Sequence, residues 1–133
     1  MEEFTIHIPR ERPFSAVADL VVGGIAARHD VTLDVLDDLQ LALDSLLEHD
    51  EADERQVGIV LRVADHTIEA SVGPLAAITT AALQAEPGEG VGLRRLLETT
   101  MDSVTLSERD GGSWVDLRKG YALAGTGQSG SGQ

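Results

Sequence analysis

The sequence predicts an α/β (α+β) two-layer sandwich, a mixed and largely antiparallel sheet covered on one face by helices. Two observations carry this prediction. Apolar and polar residues alternate in several short runs, the period of a half-buried strand. Two stretches with helical spacing stand together between the first and second of these runs, and a hairpin closes the chain, which is not the order of a doubly wound parallel fold.

Phe4, Ile6 and Ile8 alternate with Thr5 and His7 and give a first strand that ends at Pro9. A helix follows Pro13, with Phe14, Val17, Leu20, Val21 and Ile25 at helical spacing. Gly23 and Gly24 weaken its second half and permit close packing there. Thr32 suits the N-cap of a second helix whose stripe is Val35, Leu36, Leu39, Leu43, Leu46 and Leu47. Its opposite face carries Asp34, Asp37, Asp38, Asp44 and Glu48, read as a solvated face rather than a metal cluster.

A polar loop from His49 to Gln56 leads to a strand with Val57, Ile59, Leu61 and Val63, a turn at Asp65 and His66, and a returning strand over Thr67 to Val72. Gly73-Pro74 ends it, and residues 75 to 85 form a short helix rich in alanine and leucine. Leu93, Leu96, Leu97 and Met101 mark a last helix. Val104 and Leu106 then lead through Arg109-Asp110-Gly111-Gly112 into a final strand with Trp114, Val115 and Leu117. Residues 1–119 are expected to make one domain, and residues 120–133 a disordered tail rich in glycine and serine.

A net charge of −13, from 23 acidic and 10 basic residues, repels phosphate backbones and anionic lipid, so nucleic acid and membranes are poor partners. Aromatics at 3% leave no stacking platform for single strands. The absence of cysteine excludes disulfides, thiolate nucleophiles and cysteine metal sites, and it is compatible with a cytoplasmic location. The acidic start, Met1-Glu2-Glu3-Phe4, is unlike a secretion signal, and no apolar run reaches the length of a membrane span.

Gly88-Glu89-Gly90-Val91-Gly92-Leu93 is a glycine turn at the start of a helix, where unpaired N–H groups favour an anion. His7, His29, His49 and His66 are scattered without metal-ligand spacing. No serine sits in a nucleophile elbow.

From residue 4 to 118 the element order, and most specifically the end of the chain, resembles the RsbW-like anti-sigma factor serine kinases of the GHKL (Bergerat-fold, histidine-kinase-like) ATPases. The glycine turn, Gly92-Leu93-Arg94-Arg95-Leu96-Leu97, Asp102-Ser103-Val104 and Gly111-Gly112-Ser113-Trp114-Val115-Asp116-Leu117 carry it. Leu39-Gln40-Leu41-Ala42-Leu43-Asp44 is similar to the approach to the family's first nucleotide motif.

The resemblance implies an ATP site and marks where this chain departs from it. The family's polarising glutamate and magnesium-binding asparagine correspond to Ser45 and His49, a poor base and a poor magnesium ligand. The adenine-binding aspartate corresponds to Ser71, with Gly73 retained and Leu75 in place of a second glycine. Gly88, Gly90 and Gly92 preserve the phosphate turn, and Ser113 stands near the implied adenine pocket.

The expectation is a degenerate protein-binding module of a partner-switching system in transcription regulation. It would bind ATP weakly or not at all, with magnesium disfavoured, and hold a sigma factor or an anti-sigma antagonist, with a homodimer allowed. The alternative is an active ATP-dependent serine/threonine kinase that phosphorylates the antagonist.

Overall fold

A computed structural model describes residues 2–8, 12–49, 57–64, 66–84, 92–109 and 111–121, the side chains of 12–16 excepted. The elements run β1 (Glu2–Ile8), α1 (Arg12–Arg28), α2 (Leu33–His49), β2 (Val57–Ala64), β3 (Thr67–Gly73), α3 (Ala77–Leu83), α4 (Leu93–Thr100), β4 (Ser103–Arg109) and β5 (Gly112–Gly120). This is the order expected from the sequence. The expected sheet was mixed and largely antiparallel; here the strands lie β1-β2-β3-β5-β4 and every pairing is antiparallel.

Strand alternation divides the sheet into two faces. Ile8, Val57, Ile59, Leu61, Ile68, Ala70, Val72, Val115 and Leu117 join one buried cluster with Leu39, Leu43 and Leu46 of α2 and Val22 and Ile25 of α1. Each large aliphatic side chain removed from water there contributes about 2 kcal/mol. The same alternation turns Gly58, Val60, Arg62, Glu69, Ser71, Gly73, Trp114 and Asp116 to the opposite face.

Local chemistry closes the elements. At the end of α1, Asp30 takes the left-handed conformation (φ 57°) and the Val31 N–H donates to the Ala26 carbonyl at 2.9 Å, the pattern of a Schellman cap. In the β2–β3 turn His66 is also left-handed (φ 59°), and its ring stacks on Tyr121 at 6.0 Å. In the β4–β5 turn Gly111 takes φ 78°, where a side chain would be strained. Lys119 donates to the Thr100 carbonyl at 2.7 Å, at the negative end of α4, and pairs with Asp38 of α2 at 3.1 Å.

Two apolar positions expected on the α1 stripe face water instead: Leu20 is 76% and Val17 41% exposed. The helix is apolar on most of its circumference, so only part of it can meet the sheet. Of the two glycines, Gly23 lies toward α2, where a Cβ would sit 3.8 Å from the Gln40 side chain, whereas Gly24 faces open space. Among the described residues, no helix is long and apolar enough to cross a membrane. Strand β5 continues to Gly120, and the Tyr121 N–H donates to the His66 carbonyl at 2.8 Å; the rest of the expected tail, residues 122–133, lies outside the described residues.

Gly73 is held by lack of space, since a Cβ there would lie 2.5 Å from the Trp114 ring. Gly73→Ala is expected to lower stability by about 1–3 kcal/mol. Gly24→Ala, on an exposed helix surface, is expected to raise it by about 0.5–1 kcal/mol. Urea denaturation of the two variants beside the parent checks both.

Candidate functional site

Helix α2 packs against α1 and α4, and its last residue, His49, reaches α3. Ser45 and His49 lie one turn apart and half-buried, and His49 Nδ1 is 3.3 Å from the hydroxyl of buried Thr79 on α3. Glu48, between them in sequence, is exposed on the outer surface of α2. Among the described residues, no group of three or more histidine, aspartate or glutamate side chains is placed to hold a metal ion.

Helix α3 follows directly from β3. Leu75 donates its N–H to the Ser113 carbonyl at 2.8 Å, prolonging the β3–β5 ladder, and its side chain enters the core. A cleft of about 350 Å³ opens beside this join, lined by Pro74, Leu75, Thr80, Gln84, Gly112 and Ser113. A Cβ on Gly112 would lie 2.8 Å from the Pro74 side chain, so the small residue there lets the hairpin close on β3.

Gly92 is the N-cap of α4, with extended backbone and no side-chain cap; Gly88 and Gly90 lie outside the described residues. The first turn of α4 carries no acidic residue and begins Leu93-Arg94-Arg95. Arg94 donates to the Leu83 carbonyl at 2.6 Å and to Glu98 at 2.9 Å, fastening α4 to the end of α3. This helix start is electropositive in an acidic protein.

Ser71 lies elsewhere. Its neighbours Ala70 and Val72 pack under the helices, so its hydroxyl points to the opposite face, which carries no helix among the described residues. It is fully buried there, donating to Asp116 at 2.5 Å and accepting from Arg109 at 3.2 Å and Arg62 at 3.3 Å. Arg109 also donates to Asp116 at 2.7 Å and lies 5.1 Å from the centre of the Trp114 ring. Arg62 bridges to Glu69 at 3.3 Å. The Trp114 ring spreads across Gly73 toward Gly58. The site residues named from the sequence thus divide: His49 meets α3 and Ser45 lies one turn before it on α2, Ser113 and Leu75 line the cleft, Gly92 opens α4, and Ser71 and Gly73 belong to the far face.

A further carboxyl pair joins α1 to α2. Burial, then repulsion from Asp44, then a hydrogen bond with Asp44, raise the Asp19 pKa from its ordinary 3.8 to about 6. Asp44 is also raised, chiefly by burial and further by the charge of Glu48, against a lowering from its bond with Asp19. One Oδ1 on each is buried with no donor. Sequence reading missed this pair because the two aspartates are 25 positions apart; the available signal was Asp19, the one acid inside α1. It missed the Arg109–Asp116–Ser71 cluster because strand pairing brings those residues together.

These features define a class by fold, a two-layer α+β domain with a five-stranded antiparallel sheet. The chain is similar to a crystal structure of the RsbU and RsbW domains of a Mycobacterium tuberculosis protein, with a TM-score of 0.61 and 13% identity. The match covers 92% of this chain and 34% of that one, so this chain spans about a third of its length. No family model and no curated protein matches the sequence.

The raised Asp19 carboxyl opposes folding when ionised, so its contribution is most favourable below about pH 4 and is lost as pH rises through about 6. Asp19→Asn is expected to raise Tm at pH 7 by a few degrees, an advantage that disappears below pH 4. Thermal melts of both proteins across this range check the sign.

Proposed function

We propose that the chain is a protein-binding module of a cytoplasmic partner-switching system in transcription regulation. It is a degenerate member of the GHKL ATPases that engages a sigma factor or an anti-sigma antagonist and binds ATP weakly or not at all. The observation that carries this reading is the placement of Ser71. The position that the resemblance gives to adenine recognition is committed to a buried network with Asp116, Arg109 and Arg62 on the helix-free face. A donor and acceptor satisfied in this way offers little to a base on the other side of the sheet.

Helix α2 supports the same reading. Magnesium takes hard oxygen ligands, and the matching positions hold a serine hydroxyl and an imidazole that meets Thr79. These residues do not fit the ion. Ser45 is no substitute for a carboxylate base, and Glu48 lies on the outer surface. The scaffold persists without the groups that phosphoryl transfer requires, as expected where a fold is kept for binding.

The active-kinase alternative draws on one feature, the electropositive start of α4 behind Gly92. Alone it supports weak, magnesium-independent attraction for a phosphate. Calorimetric titration separates the readings: the module shows no magnesium-dependent heat up to about millimolar ATP. Submicromolar, magnesium-dependent binding would instead restore the kinase.

A further inference from the structure

The groove between α1 and α2 has no part in the cleft or the sheet network. The two helices run antiparallel across it, since Asp19 meets Asp44 and Gln40 approaches Gly23 while donating to the Asp19 carbonyl at 3.1 Å. Its banks differ in chemistry. On α1, Val17, Leu20, Gly24 and Ala27 face water, and from Val17 to Ala27 the only charged residue is Asp19, in the groove. On α2 the exposed row is Leu33, Asp37, Leu41 and Glu48, with Leu33 73% and Leu41 48% exposed. Leu20 and Leu41 therefore top opposite banks at neighbouring levels.

We infer that this groove is the docking site for an amphipathic helix of a partner protein, with leucine-type side chains seated on Leu20 and Leu41 and lysines or arginines against Asp37, Asp44 and Glu48. Two observations select this occupant. Exposed apolar side chains on both banks present the surface that an amphipathic helix covers. The acidic bank complements a basic helix flank and opposes a second copy, which would add another −13. The inference rests on the module reading and specifies the partner: a helix that is apolar on one face and basic beside it.

The probe is a fluorescein-labelled Leu/Lys peptide of about 18 residues, with leucines at helical spacing, titrated in fluorescence anisotropy beside a scrambled peptide of the same composition. The expected result is saturable binding of the helical peptide alone, weakened by salt and reduced at least about tenfold by Leu20→Asp and by Glu48→Lys. Both positions are exposed, and circular dichroism confirms that the variants fold; Leu41→Asp serves as a second apolar variant. Equal binding of the scrambled peptide, or no change with Leu20→Asp and Leu41→Asp, would overturn the proposal. So would sedimentation showing a dimer of the protein alone that Leu20→Asp dissolves, because a second copy would then occupy the groove. Failure here leaves the ATP calorimetry unchanged, whereas magnesium-dependent ATP binding would remove the module reading without altering the peptide titration.

Discussion

The parity of β3 is the constraint on which the rest depends. Ile68, Ala70 and Val72 must all lie under the helices, because their burial with Leu39, Leu43 and Leu46 forms the middle of the core. Successive strand residues point to opposite sides, so Glu69, Ser71 and Gly73 are carried to the other face. A one-residue slip would expose the apolar set and bury the polar one. The position of Ser71 is therefore a consequence of the core, and the site chemistry inherits it.

On the helix-free face, the same parity gathers groups that would be costly to leave alone. Ser71 is fully buried without a covering helix because Asp116, Arg109 and Arg62 close around it and Trp114 lies alongside over Gly73. Charge-assisted hydrogen bonds stabilise such a cluster only while each member keeps its partner. The cluster is satisfied within itself, whereas the Ser107 hydroxyl, paired with Trp114 across β4 and β5 on the same face, is buried without a partner. On the helical side, α1 is apolar on more sides than the sheet can cover and the α1–α2 groove keeps two carboxylate oxygens without donors. Of the buried polar side-chain atoms without a partner among the described residues, the two carboxylate oxygens lie between the helices and the Ser107 hydroxyl lies in β4.

The sequence was most informative where periodicity is local. The strand alternation, the Leu39-Leu43-Leu46 stripe and the hairpin turns pointed to the element order and to a largely antiparallel sheet, because each depends on neighbours within a few residues. Leu20 and Val17 were harder to place: an all-round apolar helix has no internal signal for which side meets the sheet. The site was only partly legible. A motif alignment gives Ser71 a place in a list, whereas pairing of β3 with β5 decides that it meets Asp116. Similarly, Asp19 and Asp44 become a pair only after α1 folds back along α2, and Gly73 acquires its steric reason only beneath Trp114.

The placement of Ser71 can be observed directly. In nuclear Overhauser spectra of the labelled protein, the Ser71 β-protons should show contacts with side-chain protons of Arg62 and Arg109, and none with the methyl groups of Leu43 and Leu46 on α2. Contacts to those methyl groups, with none to the two arginines, would place the hydroxyl under the helices, contradict the assigned parity of β3 and return Ser71 to the side of the sheet where a nucleotide base could reach it.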